Sequence, residues 1–273
     1  VPLRWTHARL SSRSGGSLKP MSEVEITSRG AVTVIRINRP HVRNAINRAT
    51  AQALREAWLA FEADERARVG ILTGGDEVFC AGADLEDLEA LAAEVEGEWG
   101  PLGFTRLWVS KPTIAAIAGY CVAGGLEMAC WCDLRIADET AVFGCFERRF
   151  GVPLVDGGTQ RLPRIVGLGR ALELILTGRP VDAREALAIG LINELVPRGQ
   201  SLKRALELAE RLAGFPQVCL RSDRRAVYSG FGKDLAEGLR LEAELAFQVL
   251  KSGEPHAGAR EFVAGKGRGG KFE

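Results

Sequence analysis

From Thr113 to Cys132 the chain reads TIAAIAGYCVAGGLEMACWC, and Glu127 is the single charged side chain in that run. No other stretch limits the fold so strongly. An ionised carboxylate taken out of water without partners costs many kcal/mol, so such a group finds partners or shifts its pKa. The run is long enough to cross a bilayer. Yet Gly119, Gly124 and Gly125 interrupt it, Asp133 follows at once, and no Lys/Arg cluster flanks one end. Strand, glycine-rich turn and helix fit it better: TIAAIAG is the strand, YCVAGG the turn, and GLEMACW opens the helix. Glu127 then falls in the first helical turn, where amides lack intrahelical partners and the dipole favours an anion. Helix stabilisation and acid/base chemistry both explain a glutamate there.

The neighbouring segments alternate between strand and helix, which makes the chain α/β. AVTVIRIN (31–38) is rich in β-branched residues and stops at Arg39-Pro40. Ala53, Leu54, Ala57, Trp58 and Phe61 then recur at helical spacing, and VGILTGG (69–75) and LRIAD (134–138) read as short strands. Beyond about residue 157 the pattern is mostly helical with Gly and Pro punctuation, with one short strand expected at LINELVP. The closing GKGRGGKF reads as a flexible tail.

Charge is balanced, with 36 Lys and Arg against 35 Asp and Glu, so no overall field points to nucleic acid or acidic lipid. The six cysteines form no CxxC pair, and the three histidines lie far from most of them, which argues against a metal site. Small buried hydrophobes in a reduced compartment is the simpler account. Residues 1–20 are Arg/Ser-rich and free of acids, like a transit peptide. A dispensable leader ahead of a true start at Met21 is the competing expectation.

Two further segments carry chemistry. VGILTGGDEVFCAGADLEDLEAL repeats the grammar of strand, glycine turn and helix, with a helical stretch expected to open near Asp84. Its CAGAD turn and the Gly-rich turn before Glu127 could each offer one backbone N–H to a developing oxyanion. AVFGCFERRFGVPLVDGGTQRL adds Glu147, for which a surface salt-bridge cluster with Arg148-Arg149 is the bland account.

Taken together, RINRPHVRNAIN, FCAGADL, AGYCVAGGLEMACWCDLRIAD, FGCFERRFG and GGTQRLPRIVG resemble the enoyl-CoA hydratase/isomerase (crotonase) family, from about Ile26 to the C-terminus. The resemblance implies an α/β spiral of ββα units over residues 21–205 and a C-terminal helical trimerisation region over 206–273. It implies that an acyl-CoA thioester carbonyl lies between the N–H groups of Ala83 and Gly124, with Glu127 and Glu147 as a catalytic acid/base pair. It implies CoA contacts near Arg43, Ala45, Ala81, Asp84 and Leu85. No metal or redox cofactor is implied, because CoA arrives with the substrate. The expected partners are the substrate and further copies of the chain, as a homotrimer or dimer of trimers, with no nucleic acid and no membrane. The expected location is cytoplasmic, or mitochondrial if residues 1–20 are a transit peptide.

Both glutamate positions are filled, which favours addition of water across the double bond of a trans-2-enoyl-CoA. The surroundings depart from common hydratases: Phe146 precedes Glu147, Arg148-Arg149 follow it, Ala123 replaces a glycine, and Asp156 stands where a small residue is frequent. Double-bond isomerisation, or another enolate-based acyl-CoA reaction, therefore stays open. So does a non-catalytic acyl-CoA- or RNA-binding homologue.

Overall fold

The computed structural model describes residues 22–267 and Gly269; the leader, and the tail apart from those positions, lie outside the described residues. Strands β1 (Val24–Arg29) and β2 (Val32–Ile37) form an antiparallel hairpin, and α1 (Arg48–Ala63) follows. Then come β3 (Val69–Thr73), a short α2 (Leu88–Ala92), β4 (Thr113–Ile117), β5 (Tyr120–Val122) and α3 (Gly124–Trp131). Strands β6 (Leu134–Asp138) and β7 (Val142–Gly144) lead into α4 (Gly158–Val166), α5 (Leu168–Thr177), β8 (Val181–Asp182), α6 (Ala183–Ala188) and β9 (Glu194–Val196). Four helices close the chain: α7 (Ser201–Gly214), α8 (Gln217–Gly230), α9 (Leu235–Ser252) and α10 (Glu254–Val263).

The strands form two sheets, ordered β1-β2-β3-β4-β6-β9 and β5-β7-β8. Successive turns of the chain give one strand to each sheet: β4 and β5, then β6 and β7. A lone parallel bridge between Cys80 and Cys121 extends the small sheet back to the β3 turn. This is the expected α/β spiral of ββα units. The backbone steps forward one strand per turn, so the loops after the large-sheet strands stack on one another.

Every residue of β3 and β4 is buried, as their continuous apolar sequence requires for strands covered on both faces. On one face α1 lays Leu54, Ala57, Trp58 and Phe61 over Ile35, Ile37, Leu72 and Ile117. Trp58 meets Phe61, Phe104 and Trp131 with ring centroids 5.5, 5.7 and 4.8 Å away, a packed aromatic cluster. On the other face α7 presents Ala205, Ala209 and Ala213 to Val34, Ile71, Ile114 and Ile136. Those three alanines, one per turn, let the helix sit close to the sheet. The division expected at 205/206 thus falls inside a helix that packs on the sheet.

Thr113 to Cys132 forms β4, β5 and α3, and every residue but Tyr120 is buried. The YCV expected as part of a turn is a strand instead, because it pairs with Val142–Gly144 in the small sheet. Among the described residues no helix is long and apolar enough to cross a membrane. Near Asp84 the expected helix is only a 3-10 turn, Leu85–Asp87, followed by the short α2.

Helices α8, α9 and α10 pack mainly on one another. A polar strap ties α8 to the body: Arg224 Nε donates to Asp133 at 2.8 Å and Tyr228 Oη at 2.7 Å. Phe231, Leu235, Leu239, Phe247 and Leu250 stay half or more exposed along this arm.

Candidate active site

Stacking the loops brings CAGAD against the start of α3. Ile46 N–H donates to Gly82 O and Asp84 N–H to Ile46 O, both at 2.8 Å. Amides alternate sides along an extended segment, so Ala83 N–H turns away from Ile46 towards α3. Gly124 opens α3, and its N–H is among those with no intrahelical partner. The two backbone runs touch. A Cβ on Gly82, at φ +99°, would lie 2.8 Å from Ala123 Cβ and 3.0 Å from Gly124 N. A Cβ on Gly125 would meet Cys80 O at 2.3 Å, so only glycine lets the helix approach this closely. Ala123 itself holds φ 52° and ψ −129°, a conformation that glycine adopts more easily.

These amides border a cavity of about 220 Å³ that also receives Glu127 and Glu147. Of the expected site residues, Ala81, Ala83, Leu85, Gly124, Glu127 and Glu147 line it; Arg43, Ala45 and Asp84 do not. Asp84 is spent on structure. Its Oδ2 accepts from the buried Arg39 at 3.0 Å and its Oδ1 accepts Glu86 N–H. Arg43 lies outside, its guanidinium 5.8 Å from the Tyr120 ring centre, and its carbonyl accepts Ala81 N–H. Ala45 likewise gives its carbonyl to Arg39.

Glu127 is 3% exposed. Its Oε1 accepts two backbone N–H groups, from Asp156 at 3.0 Å and Gly158 at 2.7 Å. Burial first, and then the negative charge of Asp156, push its pKa up to about 8, against those two hydrogen bonds, which favour the ionised form. Glu147 stands on the 3-10 turn Phe146–Phe150 after β7 and is 7% exposed. Neither of its buried carboxylate oxygens has a hydrogen-bond partner. Burial raises its pKa as well. Buried polar groups are rarely left without partners, and an orphaned carboxylate facing a cavity marks a place where something else binds.

The Arg pair does not form the expected salt-bridge cluster. Arg148 Nε donates to Ile175 O at 3.2 Å and Arg149 Nη2 to Gly178 O at 2.9 Å. Both side chains are held by carbonyls at the C-terminal end of α5, where cations and donors are favoured. Neither is bonded to Glu147, so the pair does not turn it away from the cavity.

Three elements of the site were not read from the sequence. The amides of Asp156 and Gly158 grip Glu127. Leu102, with Pro101, walls the cavity from the loop before β4. Asp156 ties that wall to α4 through Leu102 N–H and Thr105 Oγ. The Gly-Gly of DGGTQR just before an amphipathic helix was the available signal for the first. Behind Leu154–Asp156 lies a larger cleft of about 990 Å³, walled by α4 and α8, which neither glutamate reaches.

A family profile described as enoyl-CoA hydratase/isomerase matches residues 27–267. The chain is 38% identical over 245 residues to a probable enoyl-CoA hydratase of Rhizobium meliloti, covering 88% of this chain and 94% of that protein. It is 36% identical to a short-chain-enoyl-CoA hydratase of Clostridium acetobutylicum, over 82% of this chain and 88% of the other. A crystal structure of enoyl-CoA hydratase EchA1 from Mycobacterium marinum superposes with a TM-score of 0.84 at 35% identity, covering 89% of this chain and 96% of that one.

Proposed function

The chain belongs to the enoyl-CoA hydratase/isomerase family, and from that premise we propose that it adds water across the double bond of a trans-2-enoyl-CoA. One observation carries this reading. Two buried carboxylates, one of them without any partner, share a cavity with two backbone amides at the junction of separate loops.

In this reading the thioester oxygen accepts from Ala83 N–H and Gly124 N–H. Addition of water at Cβ drives negative charge onto that oxygen, and fixed donors stabilise it without reorganising; each is worth about 3–4 kcal/mol in comparable sites. Glu127 and Glu147 flank the double bond and share the proton traffic. The ionised member takes a proton from water while the protonated member gives one to Cα. Two carboxylates lining one cavity are expected to titrate as a pair, and burial, which raises both pKa values, keeps one proton in place near neutral pH. CoA enters past Ala81 and Leu85, and the acyl group rests on Leu88, Leu91, Pro101 and Leu102. No metal or redox cofactor takes part.

The exposed apolar arm of α8, α9 and α10 supports assembly with further copies of the chain, as a homotrimer or a dimer of trimers. Side chains such as Leu235 and Phe247 are too large and too exposed to be left in water together.

Turnover separates the possibilities. Wild type is offered crotonyl-CoA and a 3-enoyl-CoA while the conjugated-thioester absorbance is followed. Loss of absorbance with crotonyl-CoA, and a 3-hydroxyacyl-CoA product, is the expected result. Gain of absorbance from the 3-enoyl-CoA alone would make the protein an isomerase. Tight CoA-thioester binding with no turnover of either would make it a non-catalytic binder.

A further inference from the structure

Resting on the hydratase reading, we propose that Asp156 is a positioning residue for the glutamate pair. Its carboxylate straps the backbone that grips Glu127, and its charge sets the pH at which the pair gives up its last proton.

Asp156 is 3% exposed and bonds through its N–H, its carbonyl and one carboxylate oxygen. Its N–H donates to Glu127 Oε1 at 3.0 Å. Its carbonyl accepts Arg161 Nη1 at 2.9 Å, and the same guanidinium reaches Thr105 O at 2.5 Å. Its Oδ1 accepts Leu102 N–H at 3.1 Å and Thr105 Oγ at 2.5 Å. One residue therefore joins the acid, the cavity wall and α4. A small uncharged residue would keep the N–H bond to Glu127 and lose both the strap and the charge. The carboxylate makes no bond to Glu127 but lines the same cavity. Burial raises its own pKa, against the bonds from Thr105 and Leu102 and the guanidinium groups of Arg106 and Arg161, which favour the ionised form.

The titratable and charged groups facing Glu127 are Asp156, Glu147, Cys130, Cys145 and Arg161. Arg161 is the cation among them, and its Nη donors are spent on the carbonyls of Asp156 and Thr105. A negative Asp156 makes loss of the pair's last proton harder, so the alkaline limb of the hydration profile lies at higher pH than it otherwise would. Removing the charge moves that limb towards lower pH.

Asp156→Asn keeps an acceptor for Leu102 N–H and Thr105 Oγ but carries no charge. The limb in kcat/KM against pH should shift down by about one unit, the low end of what a nearby like charge produces. At pH near 8 the variant should then run about five-fold slower than wild type, and near pH 6 the two should agree. Thr105→Val removes one of the two strap bonds and with it a hydrogen bond that favours the ionised Asp156, so its rate should fall and its limb should move down by less than in Asp156→Asn. The buried carboxyl stretch is also titrated by difference infrared spectroscopy in wild type and Asp156→Asn, with Glu127→Gln to identify the band. That readout needs no turnover, so wild type failing to hydrate would refute the hydratase reading while the titration still decides Asp156's role. If Asp156→Asn folds poorly, Asp156→Ser repeats the measurement. An unmoved limb together with an unmoved infrared titration overturns the proposal.

Discussion

Replacing Glu127 by Gln should make the protein more stable while disabling it, and the gain should grow with pH. Glu127 titrates near 4.5 in an unfolded chain and near 8 in the folded one. Between those values the folded protein still holds a proton that the unfolded chain has released. Each pH unit in this window therefore lowers wild-type stability by about 1.4 kcal/mol, roughly 3 kcal/mol by pH 7 and about 5 kcal/mol by pH 8, before relaxation reduces it. Below pH 4.5 the effect vanishes, and above 8 it saturates. Glutamine is neutral throughout, and its Oε1 can accept the same N–H groups of Asp156 and Gly158. Urea denaturation of wild type and Glu127→Gln from pH 4 to 9 reads the difference directly. The curves should meet near pH 4.5 and separate steadily, with the variant above. A constant gap, or a wild type that gains on the variant as pH rises, would refute burial as the force acting on Glu127.

Three other substitutions probe the loops. Gly82→Ala forces an alanine to φ +99° and puts its Cβ 2.8 Å from Ala123 Cβ, so kcat/KM should fall at least 100-fold with a lower melting temperature; near-normal turnover would show that the junction is not the thioester seat. Ala123→Gly relieves a side chain held at φ 52° and ψ −129°, and should raise the urea midpoint by the equivalent of about 1 kcal/mol, whereas a lower midpoint would mean that the Ala123 methyl packs better than it strains. Arg148→Ala loses one donor to Ile175 O and should cost about 1 kcal/mol of stability; it also removes a positive charge that lowers the Glu147 pKa, so the pH–rate profile should move to higher pH, and an unmoved profile would show that Arg148 does not act on Glu147.

The sequence made the buried strands legible because β3 and β4 are covered on both faces and read as unbroken apolar runs. Strand β1 did not stand out, since four of its six residues are exposed and VEITSR has no continuous apolar face. Strands β5, β7 and β8 have three, three and two residues, too short for periodicity to register. Glu127 was legible as a lone charge among apolar neighbours. Glu147 was legible only through the family resemblance, because its neighbours Arg148 and Arg149 by themselves suggest a solvated cluster, and only the fold shows them turned to the carbonyls at the end of α5. The partner of Asp84 was not legible either: its place in AGADL suggested a ligand contact, and its side chain is bonded to the buried guanidinium of Arg39, 45 residues earlier in the chain. Pairings across such distances are invisible to spacing.

The two-carboxylate account is tested most directly by the hydration of crotonyl-CoA by wild type, Glu127→Gln, Glu147→Gln and the double variant. Each single change should lower kcat by about 10²–10⁴ with KM little altered, and the double variant should be scarcely slower than either, because the two acids serve one step. A Glu147→Gln enzyme that hydrates at the wild-type rate would contradict the account.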